Sequence, residues 1–366
     1  MGLFNLKPFK IMINSYLLKK EPISLIHFIT NKCNARCKHC FIDFKNPGIF
    51  KNELSLEEIE KLSKTFGKSL FNINLTGGEP FLREDIFEIA RLYFKNAKVN
   101  SIFITTNGMF TEKIRAFIDK FISSGINGKI IFSISIDNFE KEHDLNRGVP
   151  GLFKNSFNSY NLIEGYKNPN ITANIGLTVT SHNYNNVSKL YDSLKGKGIK
   201  SFTATIMREE GVVKRIDPKI KKNILNSYSK LIKKIREDQL DNGERGFGRG
   251  FQFRLMNSKN ILMNKIIQKT YLNKKFISPC AAGSLLGVIY ANGDIYPCEI
   301  LSDFKLGNLR DYDMNFIKLW NDKKAKDCRA FIKRTKCSCT FECAWTLNII
   351  SQFKFLSPLL VNTLRS

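Results

Sequence analysis

The sequence is short of three things. No apolar run among its 366 residues reaches the ~18 that a membrane-spanning helix requires. Acidic residues are scarce, since 33 Asp and Glu against 58 Lys and Arg leave a net charge of +25. Cysteine is absent between Cys40 and Cys280, although the chain has nine. Hydrophobic residues make up 43% of the chain, which is enough for a packed core and disfavours global disorder.

The excess of basic residues is compatible with several partners. One interpretation is a polyanion, RNA above all. The abundance of Lys, Asn, Ile and Phe and the even spread of basic residues favour a compositional origin instead, so nucleic acid stays open without being preferred. An anionic substrate or a membrane surface is equally open. The apolar stretch 11–18 lacks a small-residue cleavage site, which argues against a signal peptide and predicts a cytoplasmic location without a membrane span.

The cysteines form two groups, and in a cytoplasmic chain such groups favour metal sites over disulfide bonds. Random usage would not leave the long gap and then place six cysteines near the C-terminus. The simplest interpretation is two metal sites in two modules. The first group is Cys33, Cys37 and Cys40, and the second is Cys280, Cys298, Cys328, Cys337, Cys339 and Cys343.

The front group has the spacing Cys33-x3-Cys37-x2-Cys40 and follows a mostly apolar run, 25–29, that predicts a buried strand. Thiolates are the soft ligands that hold iron–sulfur clusters. A cluster of four irons needs four ligands, so a local set of three leaves one iron open. An open iron can bind a substrate, whereas a fully ligated cluster mostly carries electrons.

Strand and helix patterns alternate from about residue 24 to residue 207. Helical spacing of apolar residues separates the strands, and Ser55 with Glu58 predicts a capping box at one helix start. The series predicts an α/β fold with a parallel sheet, a partial (β/α)6 TIM-like barrel whose ligands bind beyond the C-terminal strand ends. The strand candidates are 25–29, 72–76, 101–105, 129–136, 172–180 and 202–207.

The later sequence predicts a different organisation. Asp217-Pro218 opens a long helix, and a Gly-rich loop follows at 241–250. A tight hairpin is expected at 286–296, and the apolar tail is expected to pack back on the barrel rather than touch a membrane or partner. The predicted divisions are an N-terminal extension 1–23, the barrel 24–215, a helical connector 216–275, a small cysteine-rich module 276–345 and the tail 346–366.

The triad after a first strand, with Thr76-Gly77-Gly78-Glu79-Pro80 one βα unit later, resembles the radical S-adenosylmethionine (SAM) superfamily. The resemblance implies a four-iron, four-sulfur cluster held by the three thiolates. It also implies that the methionine amino and carboxylate groups of SAM bind the fourth iron. One electron from the cluster then breaks a carbon–sulfur bond of SAM, and the resulting 5′-deoxyadenosyl radical abstracts a hydrogen atom from a substrate.

The same resemblance assigns SAM-binding roles to nine residues. His39 stands where the family usually has an aromatic residue near the adenine. Gly77, Gly78 and Glu79 are expected at the methionine ammonium, and Arg147 at its carboxylate. A surface position for Arg147 is the plain alternative. The remaining members of the set are Asn107, Ser135, Asn183 and Met207.

The C-terminal cysteines resemble a SPASM or twitch module, which holds auxiliary clusters. A full SPASM module with two clusters needs seven or more cysteines, and the C-terminal group of this chain has six. One auxiliary cluster is therefore expected, with zinc as an open alternative. Cys328 is expected to be a buried apolar residue. The expected ligands are Cys280, Cys298, Cys339 and Cys343, with Cys337 as the alternate for Cys339.

The resulting hypothesis is a radical SAM enzyme with one auxiliary cluster and a reductant such as a flavodoxin or ferredoxin. A peptide or protein substrate follows from the subgroup resemblance alone. RNA or nucleotide modification is the enzymatic alternative, and a non-catalytic iron–sulfur electron carrier or sensor is the alternative from another class. The sequence identifies no catalytic acid or base.

Overall fold

The computed structural model describes residues 7–209, 216–241, 251–273 and 275–365. Its core is a parallel sheet wrapped by helices, as the alternating pattern predicts. Six strands form in sequence order, each pairing in parallel with the next, and each lies within two residues of its predicted bounds. They are β1 (Ser24–Thr30), β2 (Asn72–Gly77), β3 (Ser101–Thr106), β4 (Lys129–Ser135), β5 (Ile171–Val179) and β6 (Phe202–Ile206).

Helices connect these strands and cover the outside of the sheet, because parallel strands need crossover connections. The helix after β1 begins at the predicted capping box: Ser55 Oγ accepts from the amide of Glu58, and the Glu58 carboxylate accepts from the amide of Ser55. The barrel helices are α2 (Leu56–Ser63), α3 (Ile86–Leu92), α4 (Thr111–Ser123), α5 (Glu140–Arg147), α6 (Leu152–Gly165) and α7 (Val187–Gly196). Helix α1 (Lys7–Ile13) precedes the sheet and continues into a π-helical turn, Asn14–Leu18.

The C-terminal module extends the barrel sheet, which the sequence did not predict. Strand β7 (Leu286–Ile289) pairs in parallel with β1, and β8 (Asp294–Tyr296) returns as the predicted hairpin, with β9 (Gly307–Asn308) at the edge. A Cβ on Gly287 would lie 2.8 Å from the buried Trp320 ring, so a glycine is needed at this joint. The two cysteine-bearing parts of the chain therefore share one continuous sheet of nine strands.

Helices complete the connector and the C-terminal part. Asp217 Oδ1 accepts from the amides of Lys219 and Ile220, so it caps the long helix as predicted. Residues 242–250 of the predicted loop lie outside the described residues. These helices are α8 (Pro218–Asp241), α9 (Phe251–Tyr271), α10 (Phe316–Trp320), α11 (Lys323–Arg334), α12 (Glu342–Ile350) and α13 (Leu356–Arg365). Within the described ranges, no helix combines the length and hydropathy that crossing a membrane requires.

Candidate functional site

A cavity of about 550 Å³ opens at the carboxyl ends of the strands. This is the edge at which parallel α/β sheets bind ligands. Its lining includes ten of the residues predicted from the sequence, while Glu79 and Asn183 lie behind the wall. The ten are Cys33, Cys37, His39, Cys40, Gly77, Gly78, Asn107, Ser135, Arg147 and Met207.

The triad loop is held by the C-terminal end of α5. The amide of Arg36 donates to the carbonyl of Arg147 at 2.8 Å, and the amide of Lys38 donates to the carbonyl of Asn146 at 2.9 Å. These carbonyls have no partner inside their own helix, so the loop satisfies them. Helix α5 thereby anchors the triad loop on both sides of Cys37.

Backbone amides point at two of the three sulfurs. The amide of Ala35 lies 3.4 Å from Cys33 Sγ, and the amide of Ile42 lies 3.4 Å from Cys40 Sγ. Burial raises the pKa of Cys33 to about 12, against the backbone amide that lowers it. Burial also raises the pKa of Cys37 and Cys40. The thiols are therefore protonated without metal, and binding a cation at this site displaces their protons.

The Gly77-Gly78 turn brings β2 against the start of the triad loop. A Cβ on Gly77 would lie 2.0 Å from the carbonyl oxygen of Thr30, and one on Gly78 would lie 2.1 Å from that of Lys32. The amides of Gly78 and Glu79 donate to these same two carbonyls at 2.8 Å. The glycines are thus required by the contact with the triad loop, besides lining the cavity.

Glu79 is fully buried and ties two strand ends together. Its carboxylate accepts from the amide of Phe81 at 3.0 Å, the hydroxyl of Thr106 at 2.7 Å and the amide of Asn107 at 2.7 Å. Burial raises its pKa, while the hydrogen bonds and the Arg147 charge lower it. Glu79 therefore positions the end of β3 and does not itself line the cavity.

Arg147 is buried and forms an ion pair with Asp137, which follows β4. Its Nε lies 3.1 Å from Asp137 Oδ2, and its Nη1 lies 3.8 Å from Cys37 Sγ. Asp137 Oδ1 accepts from the amide of Thr178 at 2.9 Å. Burial opposes ionisation of Asp137, but Arg147 and His39 lower its pKa to about 2. The alternative that Arg147 is a solvated surface residue is wrong, because its side chain is buried.

Two neutral histidines flank this ion pair. His39 Nε2 lies 3.7 Å from Asp137 Oδ2, and burial lowers the pKa of His39 to about 4. His143 Nδ1 accepts from the amide of Asp137 at 3.3 Å, and burial lowers the pKa of His143 to about 3. Both rings are uncharged near neutral pH, so Arg147 supplies the positive charge beside Cys37.

Of the two asparagines predicted to bind SAM, one lines the cavity and the other lies behind its wall. Asn107 lines the cavity, where its Nδ2 donates to Asn34 Oδ1 at 2.8 Å. Asn183 lies behind the wall, where its Nδ2 donates to the carbonyls of Asp137 and Thr178 at 2.6 and 2.7 Å and its Oδ1 accepts from the amide of Thr180. Asn183 therefore positions the β4 and β5 ends, since its amide group is already occupied.

The opposite wall comes from β6 and the C-terminal module. Arg208 Nη2 lies 3.2 Å from Glu299 Oε2, and both line the cavity beside Met207, Tyr290 and Glu342. Glu342 begins α12, and its Oε1 is buried without a hydrogen-bond partner. Burial raises the pKa of Glu342, while Arg208 lowers it. The polar groups of this wall come from parts of the chain that are far from the triad loop in sequence.

The second cysteine group lies next to this wall. Burial and the neighbouring Cys337 raise the pKa of Cys280 to about 11, and burial, Cys280 and Cys337 raise that of Cys339 to about 12. Burial raises the pKa of Cys298 too, and Cys280 and Cys339 add to that rise. Four thiols therefore influence one another: Cys280, Cys298, Cys337 and Cys339.

Cys343 and Cys328 have different surroundings. Burial, Glu299 and Glu342 raise the pKa of Cys343 to about 12, so this thiol lies where the group meets the cavity wall. Cys328 is fully buried in α11, as expected for a packed residue. Yet Cys337 and Cys280 contribute to its raised pKa, so it lies close to the same group. The choice between Cys337 and Cys339 as ligand stays open.

Two family models match the chain over these parts. The radical SAM superfamily model matches residues 28–194, and an iron–sulfur cluster-binding domain model, SPASM, matches residues 280–344. The chain belongs to the radical SAM superfamily. It is a radical SAM enzyme with a C-terminal SPASM domain, and its cofactors are SAM and iron–sulfur clusters.

Similar proteins act on different substrates. The heme synthase of Methanosarcina barkeri that depends on AdoMet, another abbreviation for SAM, is 25% identical over 303 residues, which cover 80% of each chain. The sporulation killing factor maturation protein SkfB of Bacillus subtilis is 26% identical over 309 residues, covering 82% of this chain and 65% of SkfB. A structure of anSMEcpe with AdoMet and the Kp18Cys peptide matches with a TM-score of 0.61 at 22% identity, covering 93% of this chain and 98% of that one.

The donor set of this radical SAM protein fits the cofactors that its family uses. In the described parts of the chain, no three His, Cys, Asp or Glu side chains gather closely enough to hold a single metal ion. An iron–sulfur cluster makes no such demand, because each thiolate binds a separate iron. The triad supplies three thiols on one loop, and the SPASM match favours iron over zinc for the second group.

Sequence reasoning missed three contributors to the site. Asp137 directly follows the predicted strand 129–136, and its position ten residues before Arg147 permits the ion pair. His143, whose ring accepts from the Asp137 amide, has no predicted role. Glu342 had one usable signal, since an acidic residue in an apolar stretch beside Cys343 is costly to bury.

Proposed function

We propose that this protein cleaves SAM reductively in the 550 Å³ cavity and directs the resulting 5′-deoxyadenosyl radical to a peptide or protein substrate. The observation that carries the proposal is the convergence of the triad loop, the Gly77-Gly78 turn and Arg147 on one cavity at the carboxyl ends of the strands. A four-iron, four-sulfur cluster bound by Cys33, Cys37 and Cys40 would supply the electron for this cleavage.

The residues of the chain have distinct parts in this proposal. Arg147 holds positive charge beside Cys37 and toward the cavity, where it can meet the SAM carboxylate. Asp137 and Asn183 fix the guanidinium and the strand ends. His39, neutral and lining the cavity, offers a flat ring for the adenine. Ser135 and Asn107 offer polar groups for the ribose and methionine parts.

The wall formed by β6 and the C-terminal module is the proposed substrate side of the cavity. Arg208, Glu299 and Glu342 line the part of the cavity that the barrel motifs do not supply, and Glu342 Oε1 has no partner of its own. A peptide carries many N–H donors that suit such an acceptor. SkfB is a sporulation killing factor maturation protein and anSMEcpe was solved with a peptide, which supports this substrate class. The auxiliary ligands proposed are Cys280, Cys298, Cys339 and Cys343, with Cys337 as alternate for Cys339.

We further propose that the reaction takes place in the reducing cytoplasm with a flavodoxin or ferredoxin as electron donor. All nine cysteines lie in the described part of the chain as thiols, in keeping with a reducing compartment.

The test begins with SAM cleavage. The protein is reconstituted anaerobically with iron and sulfide, mixed with SAM and dithionite, and assayed for 5′-deoxyadenosine. We expect product from the wild type, none from the C33A/C37A/C40A variant, and unchanged product from the control C328A. The triple variant should also lose about four of about eight irons. Product from the triple variant would contradict the proposed site.

The substrate class is tested separately. Peptides encoded by the neighbouring genes are incubated with the active protein, SAM and reductant, and their masses are measured. We expect a mass change that requires the triad and falls at least tenfold in E342Q, which should still cleave SAM. Equal turnover by E342Q would remove Glu342 from the substrate side without affecting the cleavage proposal.

A further inference from the structure

The two ends of the chain form one apolar surface, which we call the terminal patch: residues 7–20 and 350–364. The rings of Tyr16 and Phe353 join the two segments, with centroids 4.8 Å apart. The patch holds ten of the 17 large hydrophobic side chains that are exposed in the described residues, so it is not ordinary surface scatter. The ten are Phe9, Met12, Leu17, Leu18, Ile350, Phe353, Leu356, Leu360, Val361 and Leu364.

Helix α13 has one wide apolar face, of which one edge is buried and the adjoining edge is exposed. Its buried edge carries Leu359 and Thr363, and the Thr363 hydroxyl lies 3.1 Å from Ser258 Oγ on α9. Its exposed edge carries Leu356, Leu360 and Leu364, which are four residues apart. The tail therefore packs back on the protein through one stripe and leaves the adjoining apolar stripe uncovered.

The charged side chains of the two terminal segments have one sign. Residues 1–20 contain four lysines and no Asp or Glu, and residues 343–366 contain Lys354 and Arg365 and again no Asp or Glu. Exposed aromatic and aliphatic side chains with lysines and no acidic residue suit an interface of apolar chains beneath anionic head groups. Each lysine near such a surface strengthens binding, whereas a neutral bilayer offers no such gain.

The terminal patch lies away from the cavity. The Lys7 ammonium donates to the carbonyl of Lys98, which precedes β3, so α1 lies at the amino ends of the strands. The cavity opens at their carboxyl ends. Helix α12 connects the two, because it begins at the cavity wall with Glu342 and ends in the patch with Ile350. A surface that covered the patch would leave the cavity mouth accessible.

We propose that the terminal patch docks this protein on the surface of an anionic lipid bilayer, without crossing it. The apolar side chains enter the head-group region, and Lys10, Lys20 and their neighbours face the anionic lipids. This property is independent of the reaction in the cavity, so either proposal can fail alone.

The test is co-sedimentation of the reconstituted full-length protein with lipid vesicles. Vesicles of phosphatidylcholine alone are compared with vesicles of phosphatidylcholine and phosphatidylglycerol in equal parts, at low and high salt. We expect the protein to pellet with the anionic vesicles and to be released by salt. The single variants L17E and L360E should bind about tenfold more weakly, because each loses apolar insertion and adds a negative charge.

The matched control is I122E, which replaces a similarly exposed side chain on α4 outside the patch. It should bind as the wild type does, and thermal unfolding should show that all three variants are folded. Three results would overturn the proposal: wild-type protein that stays in the supernatant with anionic vesicles, equal losses in all three variants, or a dimer in solution that L360E dissociates. The last would assign the patch to a second copy of the chain.

Discussion

The ion pair between Asp137 and Arg147 gives the sharpest energetic prediction. Both side chains are buried, and Asp137 also accepts from the Thr178 amide. The variant D137N keeps the shape and an acceptor oxygen but leaves the Arg147 guanidinium without its counter-charge. Breaking one partner of a buried pair costs about 3–5 kcal/mol, because an uncompensated charge remains in the interior. We expect the free energy of unfolding of D137N to fall by that amount at neutral pH.

A double-mutant cycle isolates this interaction. R147M should also destabilise, since it leaves the Asp137 carboxylate buried alone. The double variant D137N/R147M removes both charges and should lose less than the sum of the two single variants. The assay is urea unfolding of the metal-free protein followed by circular dichroism. The control D43N, an exposed carboxylate in the triad loop, should change stability by less than about 0.5 kcal/mol. Single losses below about 1 kcal/mol that simply add would refute the reasoning.

The pH dependence of this pair has a definite sign. The pKa of Asp137 falls from 3.8 to about 2 on folding. As pH drops, Asp137 is therefore protonated in the unfolded chain before it is protonated in the folded protein. The stabilisation is about 2 kcal/mol, is complete above the unfolded pKa, and is lost as pH falls through about 2. The stability difference between wild type and the double variant should therefore narrow below about pH 4. An unchanged difference down to about pH 2 would contradict the assignment.

Three further predictions follow from single contacts. G78A should unfold at markedly lower urea than wild type or fail to fold, because its Cβ would meet the Lys32 carbonyl, whereas G165A has open space and should be neutral. N348A removes the acceptor of the Ala281 amide at 2.7 Å, so it should cost about 1–3 kcal/mol and lower the auxiliary iron content measured after reconstitution. G287A should lower the melting temperature, because its Cβ would lie 2.8 Å from the Trp320 ring and overpacking costs about 1–3 kcal/mol.

The barrel could be predicted from the sequence because each strand and helix leaves a local signal. Apolar runs, capping residues and turn glycines act within a few positions, and β1 to β6 lie where those signals predict. The parallel pairing of β7 with β1 left no such signal. It depends on a contact between distant segments, and its one sequence trace, Gly287 opposite Trp320, is visible only once both are placed.

The candidate site was predictable in its chemistry more than in its contacts. Spacing identified the triad and the Gly77-Gly78 turn, which together line the cavity. It could not assign hydrogen-bond partners, so it did not predict that Glu79 and Asn183 bind the strand ends. Polar groups next to a cavity have two ways to be satisfied, by a ligand or by the fold, and only the three-dimensional arrangement distinguishes them.

The central claim is that the three thiols of the triad loop leave one iron free to bind SAM. The most direct measurement is electron–nuclear double resonance of the reduced protein with SAM labelled with nitrogen-15 at its methionine amino group. We expect a coupling between the cluster and the label in the wild type and in C328A, and none in C33A/C37A/C40A. A reduced cluster in the wild type that shows no coupling to bound, labelled SAM would contradict it.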